Sequence, residues 1–379
     1  MSTHVSAIFK IDLLERMIEE GFIRTQTHPT LPLTIYNYTQ EVIHADLWNS
    51  ATRACRGLIL DADYNIVARP FKKFFNLGDH AQPQIVVSDY PAQIFDKLDG
   101  SLGILYEYEG HVGVATRGSF DSEQAVWATT YLQEQFAPFL TALSRFWPEG
   151  VTPLVEIIYP ENRIVVDYKG QEDLIMLGAI RHEDGSDLYP GEIVEWWEGS
   201  ITEQFPQMGI QDITHTVNSA GHDDTEGVVM VWYTPGGESH RLKVKRADYV
   251  TMHRLVTGMN ARRVWELVKT GEDIEAIMAA GVPEEFYTWV RAKADYFETS
   301  YAKRVRGVVK EFQRHSTNPK VMKNNGRTVD RREFAHFVNK MKDKNFFFRL
   351  LDNKDISELV WKELYPAHEV PFGNPEEVG

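Results

Sequence analysis

Apolar and polar positions alternate in two different styles along the chain. Residues 9–21 (FKIDLLERMIEEG) repeat apolar positions at helical spacing, which predicts a short amphipathic helix ended by Gly21. From about residue 30 to 120 the apolar runs become short and strand-like, at 33–38, 56–71, 84–90, 101–110 and 111–118. Turn residues such as Asp61, Asp63, Asn65, Gly110 and Gly118 separate them. Residues 122–146 return to a helical period, with a break expected at Pro138. Strand-like runs resume at 154–159, 163–168, 174–181, 227–233 and 241–246. After about residue 250 the segments 262–269, 273–281, 284–315 and 331–342 all carry helical spacing, and strand signals nearly vanish. The pattern predicts an α+β protein: a domain of mostly antiparallel sheets with helices over residues 1–250, then an all-helical domain over 251–379.

Charge sharpens that division. The 379 residues suit two domains or three. The formal net charge is −15, which excludes a simple cationic nucleic-acid coat but not a local basic site. Residues 301–350 hold 14 Lys or Arg against four Asp or Glu. With Phe312, Phe334, Phe337 and Phe346–Phe348 interleaved, this block reads either as a solvated helix surface over an aromatic core or as a surface that binds phosphates and stacks bases. Cys55 is the single cysteine, so no intrachain disulfide or Cys-rich zinc site can form, and a reducing compartment is expected. No HExxH spacing occurs among the histidines. The first residues lack a long apolar core, and the longest apolar stretch, Val228 to Tyr233, falls far short of the roughly 20 residues that span a bilayer. A soluble, cytoplasmic protein without membrane contact is expected, and a monomer, since no heptad pattern stands out.

The sharpest local feature is Lys97-Leu98-Asp99-Gly100-Ser101, between a β-rich run and the strand-like LGILYEY. A lysine at such a turn can face a pocket, and Gly100 lets the backbone approach a ligand closely. A plain hairpin turn is the other reading. Acidic residues inside later strand-like runs add weight: Glu156 in LVEIIY and Glu226 ahead of GVVMVWY. Lys243 and Lys245 alternate in RLKVKR, so both side chains point to one face of a strand. Such a face makes sense against a polyanion. The acidic residues make sense as metal, ribose or lysine partners.

This ordered set resembles the covalent nucleotidyltransferase superfamily of ATP-dependent ligases and capping enzymes, and more closely the RNA ligase 1 family, the phage RNA ligases of tRNA repair. Tyr36 in IYNY, Arg56 in ACRGLIL, and Lys73 and Phe75 in ARPFKKFFNL match its upstream segments. Arg117 in TRGS, the run PENRIV after Glu156, Glu226-Gly227 and KVKRADYV match downstream. The resemblance covers roughly residues 33 to 252. At Arg117 the family pattern has lysine, and the two are not interchangeable at a phosphate site.

The resemblance implies a nucleotidyltransferase (ATP-grasp-like ligase) domain and a three-step reaction. Lys97 attacks the α-phosphorus of ATP, AMP then passes to an RNA 5′-phosphate, and a 3′-hydroxyl displaces it. It implies Lys97 as nucleophile, Asp99 either orienting it or serving only the turn, and Lys243 and Lys245 on the α-phosphate. Glu226 and Glu156 would face Mg2+ or Mn2+, with Glu156 alternatively on the ribose. Arg56, Lys73 and Arg117 would face phosphates, Gly100 would admit the nucleotide, and Tyr36 and Phe75 would pack the nucleoside, with an ordinary core role as the alternative for Phe75. The metal together with Lys243 and Lys245 would lower the lysine pKa from ~10.4. Partners would be RNA with 5′-phosphate and 3′-hydroxyl ends, including broken tRNA, and an end-healing kinase and phosphatase on another polypeptide. The C-terminal domain would select RNA. The rival classes are a DNA ligase, a GTP-using capping enzyme, and a catalytically silent RNA-binding scaffold.

Overall fold

A computed structural model describes residues 2–79, 92–136, 148–188, 190–219, 225–233, 239–278, 282, 284–323 and 328–371. The expected strand at 84–90 and the expected break at Pro138 lie outside the described residues. The chain divides into two compact units, one reaching His253 and one spanning Arg254–Pro371.

Three sheets build the first unit. The first is β1 (Ile23–Thr27), β2 (Leu33–Tyr38), β3 (Arg56–Asp61) and β4 (Ile66–Ala68), antiparallel in that order. A helix at Ile11–Glu19 covers one side, burying Leu14 and Met17 with Val5, Tyr36, Cys55 and Leu58. Sequence spacing placed that helix two residues too long at each end. β1 and the short helices Gln40–His44 and Ser50–Ala54 gave no periodic signal long enough to be read.

After β5 (Phe75–Asn76) and β6 (Gln93–Asp96), the second sheet takes β7 (Ser101–Tyr108), β8 (His111–Ala115), β9 (Val151–Ile158) and β10 (Asp173–Arg181) in the order β10-β9-β7-β8. β9 is buried along its whole length because it is covered on both faces. Val151, Val155 and Ile157 pack one way with Leu132 and Trp197, while Leu154 packs the other way with Ile35, Ile59 and Ile104. The predicted helix after residue 122 is present as Glu123–Gln135, capped by the Ser122 side chain on the Ala125 N–H.

The third sheet runs β11 (Gln204–Phe205), β6, β12 (Gly227–Tyr233), β13 (Ser239–Lys245) and β5. All its pairs are antiparallel except β13 with β5. Its inner face buries Ile94, Met230, Trp232, Leu242 and Val244. Gly227 opens β12 at φ +148°, where a Cβ would lie 2.2 Å from the Val244 carbonyl oxygen. The expected strand at 163–168 does not form. Its Val165 and Val166 amides donate to the Asp99 carboxylate, so they are unavailable to a sheet ladder.

The second unit is helical, with a two-residue antiparallel pair at Met322–Lys323 and Thr328–Val329. Its core gathers Val308, Phe334, Phe346, Phe347 and Val360, with Phe312 and Phe348 packed against them. Most phenylalanines of the basic block are therefore core, which overturns base stacking as their role. Only Phe337 among them is counted with the exposed large hydrophobic side chains of the described residues. Arg304 binds Asp343 through both terminal nitrogens and Glu363 through Nε, tying the helix Glu284–Ser316 to two later elements. Lys303, Arg306, Lys310 and Arg314 are exposed on that helix. Their spacing of three, four and four residues lines them on one face. No helix among the described residues is long and apolar enough to cross a membrane.

Gly227→Ala should lower stability by about 2 kcal/mol or more, because the side chain meets backbone at an unfavourable φ. Thermal or urea unfolding measures it, and an unchanged midpoint would contradict the close approach.

Candidate active site

Sheet register assembles the charged cluster. β6 pairs with β12 so that Asp96 faces Val228, and the next amide, that of Lys97, donates to the Gly227 carbonyl at 3.0 Å. β12 pairs with β13 so that Gly227 faces Lys245 and Val229 faces Lys243. One residue before β12, the Glu226 carboxylate therefore stands between two lysines. Its Oε2 accepts from Lys97 Nζ at 2.5 Å and its Oε1 from Lys245 Nζ at 2.8 Å. The glutamate side chain is only 4% exposed, so its charge is held by these two cations rather than by water.

Lys97 does not lie in a hairpin turn. It links β6 of one sheet to β7 of another, and Asp99 locks the linker. Asp99 Oδ2 accepts the Val165 and Val166 amides, each at 2.8 Å, and Oδ1 accepts the Tyr249 hydroxyl at 2.6 Å. The Asp99 amide donates to the Tyr168 hydroxyl at 2.7 Å. Asp99 thus positions the lysine turn; its carboxylate oxygens are both engaged away from the reacting end. Gly100 follows because a Cβ would come within 2.5 Å of the Ile157 carbonyl oxygen. Its amide donates to Glu156 Oε1 at 3.0 Å.

A cavity of about 300 Å³ is lined by Lys97, Asp99, Gly100, Glu156, Glu226, Lys243, Lys245, Arg56 and Arg117. These nine expected residues are brought together. Three are not. Tyr36 packs in the core beside Leu14 and Leu58, where burial pushes its hydroxyl up to about 12. Lys73 and Phe75 line a neighbouring cavity. The Lys73 nitrogen sits 5.3 Å from the Phe75 ring, 5.4 Å from Trp48 and 5.9 Å from Tyr38, and the Phe75 ring stands edge-on to Trp48. Phe75 is 5% exposed, a packing residue under a lysine.

Tyr38, which the sequence did not single out, lines neither cavity but stands beside the cations. A bulge in the β2–β3 pairing, between Tyr36 and Asn37, ends the regular register there. The Tyr38 ring meets the Lys73 and Arg117 cations, and Arg56, Lys73 and Arg117 together outweigh burial and lower its pKa. Arg241 was missed as well, although its alternation with Lys243 and Lys245 was visible. It lies over the Phe71 ring and pairs with Asp187.

The protein's own groups do not lower the Lys97 pKa. Burial alone would lower the Lys97 pKa, but the Glu226, Glu156 and Asp99 carboxylates outweigh it and hold the ammonium above its ordinary value. The lysine with a strongly depressed pKa is Lys243, through burial first and then Lys97, Arg56, Lys73 and Lys245. The nucleophile candidate is therefore a protonated member of an ion pair. Glu226 remains ionised because Lys97 and Lys245 outweigh its burial. No group of three or more His, Cys, Asp or Glu among the described residues is arranged to hold a metal. A divalent cation here would take Glu226 and Glu156, water and phosphate oxygens, the mixed shell that magnesium favours.

Burial pushes the Glu156 carboxyl from 4.5 up to about 7. The folded state then binds the proton more readily than the unfolded state. Its contribution to stability is full below pH 4.5 and is lost as pH rises through about 7. Glu156→Gln keeps the acceptor for Gly100 but not the charge. Its stability relative to wild type should rise between about pH 5 and pH 8. Unfolding midpoints across that range test this, and a constant difference would contradict it.

Comparison with known proteins agrees with the geometry. A family model described as RNA ligase matches residues 54–252. An RNA ligase of Rhodothermus phage RM378 is 24% identical, over 80% of this chain and 82% of that protein. A putative bifunctional polynucleotide kinase/RNA ligase of Autographa californica nuclear polyhedrosis virus is 26% identical over 49% of this chain, which spans only 29% of that protein. Among solved structures, an archaeal ATP-dependent RNA ligase is 12% identical over 91% of this chain and 96% of that one, with a TM-score of 0.44. With the family model covering more than half of its length, the chain belongs to the RNA ligase family of nucleotidyltransferase-type ligases.

Proposed function

We propose that the protein seals RNA ends that carry a 5′-phosphate and a 3′-hydroxyl, using ATP, in RNA repair that includes broken tRNA. The observation that carries this is the Lys97–Glu226–Lys245 chain of ion pairs on a cavity also lined by Arg56, Arg117 and Lys243. A buried lysine among cations is the arrangement for attack on a phosphorus.

Lys97 Nζ attacks the α-phosphorus of ATP; an N–P bond forms and the bond to pyrophosphate breaks. Glu226 sets the state of the nucleophile. While it is paired to Lys97 the ammonium keeps its proton. When that pair is released, burial and the neighbouring lysines favour the amine, and the ammonium passes its proton to water before the attack. Lys243 and Lys245 meet the charge that develops on the phosphate. Arg56 and Arg117 face the remaining phosphates, and the arginine at 117 offers a fork where a lysine would offer a point charge. A divalent cation held by Glu226 and Glu156 would neutralise charge on the α-phosphate. AMP then passes to the RNA 5′-phosphate, and attack by the 3′-hydroxyl joins the ends with loss of AMP. The kinase/ligase name of the viral relative supports an end-healing kinase acting beforehand, and a 3′-phosphatase would supply the other end.

The second unit would contribute to RNA selection, supported by the exposed face of Lys303, Arg306, Lys310 and Arg314. Changing all four to Gln should leave lysine adenylylation unchanged and slow the sealing of a broken tRNA about tenfold, with a smaller effect on a short linear RNA. Equal loss on both RNAs would remove the selective role.

Incubation with magnesium and ATP labelled on the α-phosphate should label the denatured polypeptide, and Lys97→Ala should abolish the label. GTP should label poorly, and DNA ends should join poorly. No label, together with no mass increase of one AMP in the purified protein, would overturn the ligase reading.

A further inference from the structure

The segment between β4 and β5 lines two cavities. The second, of about 330 Å³, shares Phe71, Phe74 and Arg241 with the cavity of Lys97. Arg53, Arg69, Lys72, Lys73 and Arg241 line it, and no Asp or Glu among the described residues does. Two of these arginines serve the fold. Arg69 donates to the His182 carbonyl at 2.5 Å, and Arg241 pairs with Asp187. Arg53 is different. It lies on the short helix Ser50–Ala54, and its carbonyl accepts the Lys73 amide at 2.8 Å, which fixes the helix against the lysine pair. Its Nε is buried and has no hydrogen-bond partner. A buried donor left unpaired is costly, and an anionic acceptor would relieve it.

Cations around one void, with no carboxylate among its described lining residues, suit a phosphate ester. Arginine matches its oxygens in a fork, while lysine adds charge. The nucleophile cavity already holds Arg56, Arg117, Lys243 and Lys245 beside Lys97, with Arg241 on the shared wall, for the charge of one triphosphate. A second cationic void beside it is surplus to that need. A joining reaction, however, must also hold the strand behind its reacting phosphate.

We propose that the cavity of Arg53 and Lys72 is a phosphate subsite that takes a backbone phosphate of the RNA strand whose end reacts at Lys97. The inference rests on the RNA ligase reading and adds a residue-level contact to it. The shared Phe71 and Phe74 wall makes the two cavities neighbours, so consecutive phosphates of one strand can occupy them.

The test is fluorescence-anisotropy titration of a 5′-phosphorylated single-stranded RNA, without ATP or metal, over a range of salt. Wild type, Arg53→Gln/Lys72→Gln and the charge-keeping Arg53→Lys/Lys72→Arg are compared, with lysine adenylylation measured beside them. The Gln pair should weaken RNA binding about tenfold and reduce the slope of log K against log salt by about 1.4, two contacts at ~0.7 each. Adenylylation should be unchanged, and the charge-keeping pair should bind like wild type. If the Gln pair unfolds early in a thermal melt, Lys72→Gln alone carries the test, with a slope change of about 0.7. Unchanged RNA affinity and slope would overturn the proposal. So would unchanged RNA affinity with a raised KM for ATP, which would assign the cavity to the nucleotide's outer phosphates. A wild-type protein that takes no AMP would count against the ligase reading, and the RNA titration would still decide the subsite.

Discussion

One buried carboxylate governs the arrangement of the first unit's chemistry. Ionised Glu226, cut off from water, costs several kcal/mol in desolvation unless cations repay it. Lys97 from the β6–β7 link and Lys245 from β13 supply that repayment. The three residues belong to three segments of one sheet, and only the β6–β12–β13 register brings them together. Removing the carboxylate would leave two lysines facing each other at short range. Removing either lysine would leave a carboxylate half-compensated in a dry site. The site without substrate is therefore a closed set of ion pairs rather than an exposed amine waiting for a phosphate.

The same strands serve stability and chemistry on opposite faces. Leu242 and Val244 of β13 are core, while Arg241, Lys243 and Lys245 face the cavities. On β12, Met230 and Trp232 are core, while Val229 and Val231 line the cavity. Alternation with period two makes this division possible. A core substitution on β12 or β13 shifts the cations directly, since no flexible loop separates the packing side chains from the charged ones.

How much of this was legible follows from the range of each signal. The Lys243–Lys245 face was readable because strand alternation is local. Glu156 stood out as a carboxylate inside the apolar run LVEIIY, and the bland alternative of a surface glutamate at a strand edge fell only when that strand proved buried along its length. The link at Lys97–Gly100 was found, but its hairpin alternative fell only when β6 and β7 turned out to lie in different sheets. Tyr36 was named from the resemblance and Tyr38 was not, and a bulge between them cannot be seen in a pattern of side-chain types. The run at 163–168 has every mark of a strand, yet its amides are claimed by a carboxylate far away in sequence. The direction of the Lys97 pKa could not be read at all. It depends on whether carboxylates or lysines stand nearer, and that is a matter of register.

The bond between Asp99 and Tyr249 spans 150 residues, and that between Lys97 and Glu226 spans 129. Neither can close on a nascent chain until the later partner has left the ribosome. The lysine turn emerges early, but without Tyr249 and Glu226 it has no lock and no counter-charge. At ~5–20 residues per second, several seconds or more separate synthesis of the lysine from synthesis of its last clamp. Until residues 226 and 249 have both emerged, the first unit lacks part of the set that holds its lysine, and the second unit is still to be completed when they do.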